Sequence, residues 1–84
     1  MRLREVLRNI SNISETHLKL GSHYLIIENH GRQLRCVLYH WIEYRYGGEP
    51  VKVAYKSVEE LPGFLNELKE ELGATRTTVV RIWT

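Results

Sequence analysis

The chain has 84 residues, of which 43% are hydrophobic and 26% charged, with a formal net charge of +2. That length predicts one domain over residues 1–84, burying about 60–65% of its unfolded surface, and the composition excludes a disordered chain. No apolar run approaches the roughly 20 residues that cross a membrane; Met1 to Glu5 lacks the apolar segment of a secretion signal; and Cys36 stands alone, so the expected location is the cytoplasm.

Leu3, Val6, Leu7 and Ile10 recur at helical spacing and predict a first helix over about residues 2–10. Thr16 to Leu20 is ambiguous. Leu18 and Leu20 alternate as in a strand, while Ser14 is able to cap a short helical turn. Gly21-Ser22 breaks the chain, and His23 to Glu28 reads as a strand. Asn29-His30-Gly31 supplies a turn, and one long strand follows from Arg32 to Tyr46. Fifteen residues would extend about 50 Å, so a bulge or bend is expected, and it would swap the two faces partway along.

Gly47-Gly48-Glu49-Pro50 predicts a turn, and Val51 to Lys56 another strand. Ser57 and Glu60 have capping-box spacing. Pro62 sits near the start of the main helix, with Leu61, Leu65, Leu68 and Leu72 as its apolar stripe and Gly73 as its cap. Thr75 to Trp83 is the final strand. The expected fold is α+β: an antiparallel sheet of about four strands in the order α-β-β-β-α-β, with the main helix packed on one sheet face. Leu38, Ile42, Leu65, Leu68, Val80 and Ile82 are the expected contacts of that packing.

Charge divides along the chain. Residues 57–73 hold Glu59, Glu60, Glu67, Glu70 and Glu71 against Lys69 alone, whereas the rest has 11 basic and 5 acidic residues. An acidic helix over a basic sheet gives one positive face. All acidic residues are glutamate, arginine is frequent and there is a single glutamine, a balance that leans toward a thermophile.

The long strand carries the functional expectation. Its even positions, Leu34, Cys36, Leu38, His40, Ile42, Tyr44 and Tyr46, are mostly apolar and suit a core. Its odd positions mix arginines with large aromatics: Arg35, Tyr39, Trp41 and Arg45. The last strand repeats the pattern, with Val80 and Ile82 opposite Arg81 and Trp83. Flat π surfaces beside fixed cations suit single-stranded DNA or RNA, because every base has a π face and stacking requires no sequence. The expected binding residues are Arg35, Tyr39, Trp41, Arg45, Arg81 and Trp83, with Lys52 and Lys56 as rim charges.

Two other readings compete. Aromatic residues and arginine are also enriched at protein interfaces, so the same face would serve a scaffold subunit or a homodimer. His40 near Glu43, with Tyr39, Arg45 and Lys56 close by, would suit a small metal-independent ribonuclease, but on a regular strand positions 40 and 43 face opposite ways. No catalytic residue is therefore assigned. His17, His23, His30 and His40 lack helical zinc spacing, and neither a metal nor another cofactor is expected.

In general plan, the segment from about His23 to Thr84 resembles the small thermophile single-stranded-DNA-binding proteins of the ThermoDBP type. It shares strands bearing aromatic and basic residues (Tyr39, Trp41, Arg45, Arg81 and Trp83) and one long helix. The resemblance implies a homodimer or higher assembly whose cleft has an aromatic floor and a basic rim.

Overall fold

The apolar spacing of Leu3, Val6 and Leu7 folds as helix α1, Leu3–Arg8, and a single 3-10 turn, Ile10–Asn12, follows it. The computed structural model describes residues 2–42 and 45–84. Strands β1 (Glu15–Leu20), β2 (His23–Asn29), β3 (Leu34–Ile42) and β4 (Arg45–Lys56) come next, then helix α2 (Leu61–Leu72) and strand β5 (Thr77–Trp83). Among the described residues, five strands form one antiparallel sheet in the order β4-β3-β2-β1-β5.

The α+β class and antiparallel sheet agree with the sequence; the strand count and order do not. The ambiguous Thr16–Leu20 segment is β1. It pairs with both β2 and β5, and it buries Thr16, Leu18 and Leu20 on the helix side. The long strand expected over Arg32–Tyr46 is two strands, because Ile42 pairs with Arg45 and the chain reverses between them. Gly47 to Pro50, expected as a turn, lies inside β4. Glu43 and Tyr44 lie outside the described residues.

Helix α2 starts where local chemistry predicts. The Ser57 amide donates to Glu60 Oε1 at 2.9 Å, and the Glu60 amide donates to Ser57 Oγ at 3.2 Å. The Ser57 amide first, and its side chain second, hold the Glu60 carboxyl below its usual range. Pro62 falls in the first turn, where its missing N–H costs no helical bond. Gly73 ends the helix in the left-handed conformation, at φ 64°, and the amide of Ala74 reaches back to the carbonyl of Lys69. Since α2 joins the β4 edge to the β5 edge, it crosses one whole face of the sheet.

That inner face is the core. Leu61, Phe64, Leu65 and Leu68 of α2, with Val6 and Ile10 of the N-terminal segment, pack on Leu18, Leu25, Ile27, Cys36 and Leu38. Burial pushes the Cys36 thiol up to about 11. Two expected core positions are corrected. Ile42 is 63% exposed at the far end of β3, and Val80 is 43% exposed. Ile82 packs at the edge of the core as expected, joined by Val79 in place of Val80.

Two irregularities decide which side chains face outward. Between β1 and β5 the register shifts after His17, leaving Val80 as an extra residue on β5. Leu18 pairs with Val79 on one side of the shift, and His17 pairs with Arg81 on the other. Val79 and Ile82 therefore face inward while Arg81 and Trp83 face outward. Between β3 and β4, Leu38 pairs with Lys52 but His40 pairs with Gly47. Residues 48–51 thus lie opposite Tyr39 alone, and Tyr46 is delivered to the outer face opposite Trp41. No helix among the described residues is long and apolar enough to cross a membrane.

Candidate functional site

The outer sheet face gathers an aromatic cluster around Tyr24 of β2. The pairs Lys19↔Tyr24 and Tyr24↔Tyr39 put side chains of β1, β2 and β3 on this one side. The ring of Tyr24 stacks on Trp41, at 5.1 Å between centroids and 19° between planes. It stacks also on Tyr46, at 4.7 Å and 3°. Tyr39 leans on Tyr46 at 5.1 Å. The ring of His17 meets Tyr24 edge-on at 5.3 Å and lies 4.7 Å from Trp83. Such offset and edge-to-face contacts suit the ring quadrupoles.

A hydrogen-bond chain fixes the floor. Glu15 Oε2 lies 2.7 Å from His17 Nε2, and His17 Nδ1 lies 2.8 Å from the Tyr24 hydroxyl. The carboxylate can only accept, so Nε2–H donates to Glu15, and in the neutral ring Nδ1 accepts from the Tyr24 O–H. Burial foremost, then the neighbouring Tyr46, raises the Tyr24 pKa, which keeps that proton on the phenol. Tyr24 and His17 are only 4% and 7% exposed although they lie on the face away from the helices. The cluster is thus a second, smaller core with a polar spine.

Above this floor lies a cleft of about 490 Å³ between the β3–β4 end and the β1–β5 end of the sheet. Tyr46 and Trp83, each 39% exposed, offer free ring surface at its walls, and Arg45 and Arg81 line it. The Arg81 guanidinium sits 6.0 Å from the centre of the Trp83 ring, and Lys19 Nζ lies 5.7 Å from that of Trp41. Both distances fall within cation–π range. Planar rings and two arginines around an open cleft can hold a flat aromatic ligand carrying negative charge.

Of the residues singled out in the sequence, Trp41, Arg45, Arg81 and Trp83 line this cleft, and Tyr39 joins the cluster behind Tyr46. Arg35 is on the same face, four residues from Tyr39 along β3. It is held by Glu28 at 2.9 Å, and its hydrogen bonds to Glu28 and then Tyr55 raise its pKa. Lys52 and Lys56 are not rim charges of this cleft. They pair with Leu38 and Leu34 on the inner face, where their ammonium groups sit 5.9 and 5.3 Å from the Phe64 ring and Lys52 reaches Glu71 at 3.7 Å.

The sequence reading missed His17, Lys19 and Tyr24, and it set Tyr46 in the core. Alternation within Glu15–Leu20 and within His23–Glu28 placed the first three opposite the leucines and was the available signal. His40, the ribonuclease candidate, lies on the opposite face from the cleft. Its ring is 4.8 Å from that of His23, whose pKa is lowered by burial and then by His40. Glu43, its proposed partner, lies outside the described residues. Among the described residues, no three metal-ligating side chains converge. No family model, curated protein or solved structure matches the chain.

Proposed function

We propose that this protein binds single-stranded DNA or RNA in the cleft of its outer sheet face, without catalysing a reaction on it. The observation that carries this reading is the exposed ring surface of Tyr46 and Trp83 over a rigid aromatic floor, flanked by Arg45 and Arg81. A base stacks against Trp83 or Tyr46 with His17 beneath it, and the arginines meet the adjoining phosphates. Duplex is disfavoured because its bases are already stacked on one another.

The test is a fluorescence titration with oligothymidylate, oligouridylate and duplex at several salt concentrations. Both tryptophans of the chain, Trp41 and Trp83, report on the cleft. Trp83→Ala weakens single-strand binding by about 1–3 kcal/mol with an unchanged salt slope, since it removes stacking. Arg81→Ala lowers the slope by about 0.7, the value for one single-strand phosphate contact. Equal competition by duplex, or wild-type binding by both folded variants, refutes the reading.

A second reading, self-association, is favoured by a separate observation. β4 is an edge strand, and its Val51, Val53 and Tyr55 are exposed large hydrophobics. An uncovered apolar edge is a ready template for another copy. Sedimentation equilibrium at micromolar concentration decides it: a 9.9 kDa species at every concentration excludes the dimer.

A further inference from the structure

A second hollow opens on the β1–β5 side of the sheet, around the β1–β2 turn and the segment that leads from α2 into β5. It measures about 360 Å³ and is lined by Lys19, Gly21, Thr75, Arg76 and Thr78. Its side chains are two cations and three small or hydroxyl-bearing groups, with no carboxylate among them. Neither Lys19 nor Arg76 makes an ion pair among the described residues. The wall is set by backbone: Gly21 takes φ +59°, and the position of its absent Cβ lies 3.6 Å from Ala74 Cβ, so the turn and the end of α2 close on each other.

The hollow is joined to the aromatic cleft by a shared residue. Lys19 pairs with Thr78 across β1 and β5, and its Nζ lies over the Trp41 ring. On β5 the outward order runs Trp83, Arg81, then Thr78, because the extra residue Val80 shifts the phase, and Arg76 lies immediately before the strand. From Arg81 to Arg76 is at most about 16 Å at ~3.3 Å per residue. Resting on the base-stacking reading of the cleft, we propose that this hollow is an anion subsite for a backbone phosphate of the same single strand. The Arg76 guanidinium and Lys19 ammonium hold the phosphate oxygens, and the Thr75 and Thr78 hydroxyls donate to them. The bound strand then runs along the β1–β5 ladder, its base in the cleft and a later phosphate in the hollow.

Arg76→Ala is the decisive variant, since Arg76 is exposed and its loss leaves the core untouched. Binding of an eight-residue oligothymidylate and of the dinucleotide is measured across salt for wild type, Arg76→Ala and Trp83→Ala. In parallel, pyrophosphate alone is titrated while Trp41 emission is followed, because Lys19 moves off the ring when it takes an anion. Arg76→Ala lowers the octamer salt slope by about 0.7, so its ratio to wild type changes about 2.6-fold between about 50 and 200 mM salt. It leaves the dinucleotide unaffected and abolishes the pyrophosphate response, whereas Trp83→Ala weakens both oligomers and keeps that response.

Failure separates cleanly. If Trp83→Ala weakens binding while Arg76→Ala keeps the full slope, the cleft stands and the phosphate subsite is wrong. If Arg76→Ala lowers the slope and removes the pyrophosphate response while Trp83→Ala binds as wild type, the subsite stands and the stacking reading is wrong. A pyrophosphate response that survives in Arg76→Ala also overturns the assignment.

Discussion

The hydroxyl of Tyr24 is the sharpest place to perturb the site, because one atom tests the polar spine without moving a ring. Tyr24→Phe removes the donor to His17 Nδ1, 2.8 Å away, and leaves that nitrogen facing a ring in a 93–96% buried environment. A buried acceptor without its partner costs about 1–3 kcal/mol. The whole domain is worth about 4–13 kcal/mol at the usual 0.05–0.15 kcal/mol per residue. At about 4–8 °C per kcal/mol for a chain of this size, Tm falls by about 4–24 °C. Urea unfolding followed by far-UV circular dichroism measures the loss independently of the tryptophans. A double-mutant cycle with His17→Phe then isolates the bond: with both polar partners replaced by rings, the double variant is less destabilised than the sum of the singles, by at least about 0.5 kcal/mol. Stacking rings survive in Tyr24→Phe, so single-strand affinity changes little. Wild-type stability of Tyr24→Phe, or additivity within about 0.3 kcal/mol, would refute the assignment of Tyr24 as donor and His17 as relay.

Leu68→Ala, at a position 1% exposed beneath α2, costs about 2–5 kcal/mol in urea unfolding; a loss below about 1 kcal/mol would mean that the helix does not seal the inner face. The Cys36 thiol, pushed up to about 11 by burial, reacts slowly with a disulfide reagent near about pH 8 in the native protein and fast in guanidinium, and equal rates would contradict its burial. His23 has its pKa lowered, by burial first and His40 second, so the unfolded chain takes up a proton that the folded chain resists. This contribution to stability is present above the ordinary histidine value of 6.5 and is lost as pH falls below it; His23→Gln flattens that part of the Tm-against-pH curve, and an unchanged curve would dismiss His23 as its source.

The helices were legible because their signals are local. Leu61, Leu65 and Leu68 share a stripe, Ser57 and Glu60 close a reciprocal turn, and Gly73 stops the helix; each step spans four residues or fewer. The strands were legible as segments but not as a sheet. Thr16–Leu20 is ambiguous in sequence because five residues carry weak periodicity, and it is pairing with β2 and β5 on both sides that makes it a strand. The reversal between Ile42 and Arg45 carries no glycine or proline, so apolar alternation ran through it unbroken. The glycines at 47 and 48 attracted the turn instead, yet they lie within β4, where its register with β3 shifts.

The cleft itself is a product of those register shifts, which is why a period of two set Tyr46 on the wrong face. Strict alternation along β4 from Lys52, which faces the helix, would send Tyr46 to the helix side as well; four residues opposite Tyr39 reverse that and place its ring on Tyr24. Strict alternation along β5 from Val79 would send Arg81 and Trp83 inward; the single residue Val80 reverses that too. Both shifts bring an aromatic residue to the outer face from an edge strand, and they flank the central strands that supply His17 and Tyr24. Each edge residue then has a ring already fixed beneath it, by hydrogen bonds for His17 and by stacking for Tyr24. A surface assembled in this way is rigid at its floor and open at its walls, the arrangement in which a stacked base gains contact without ordering the protein further.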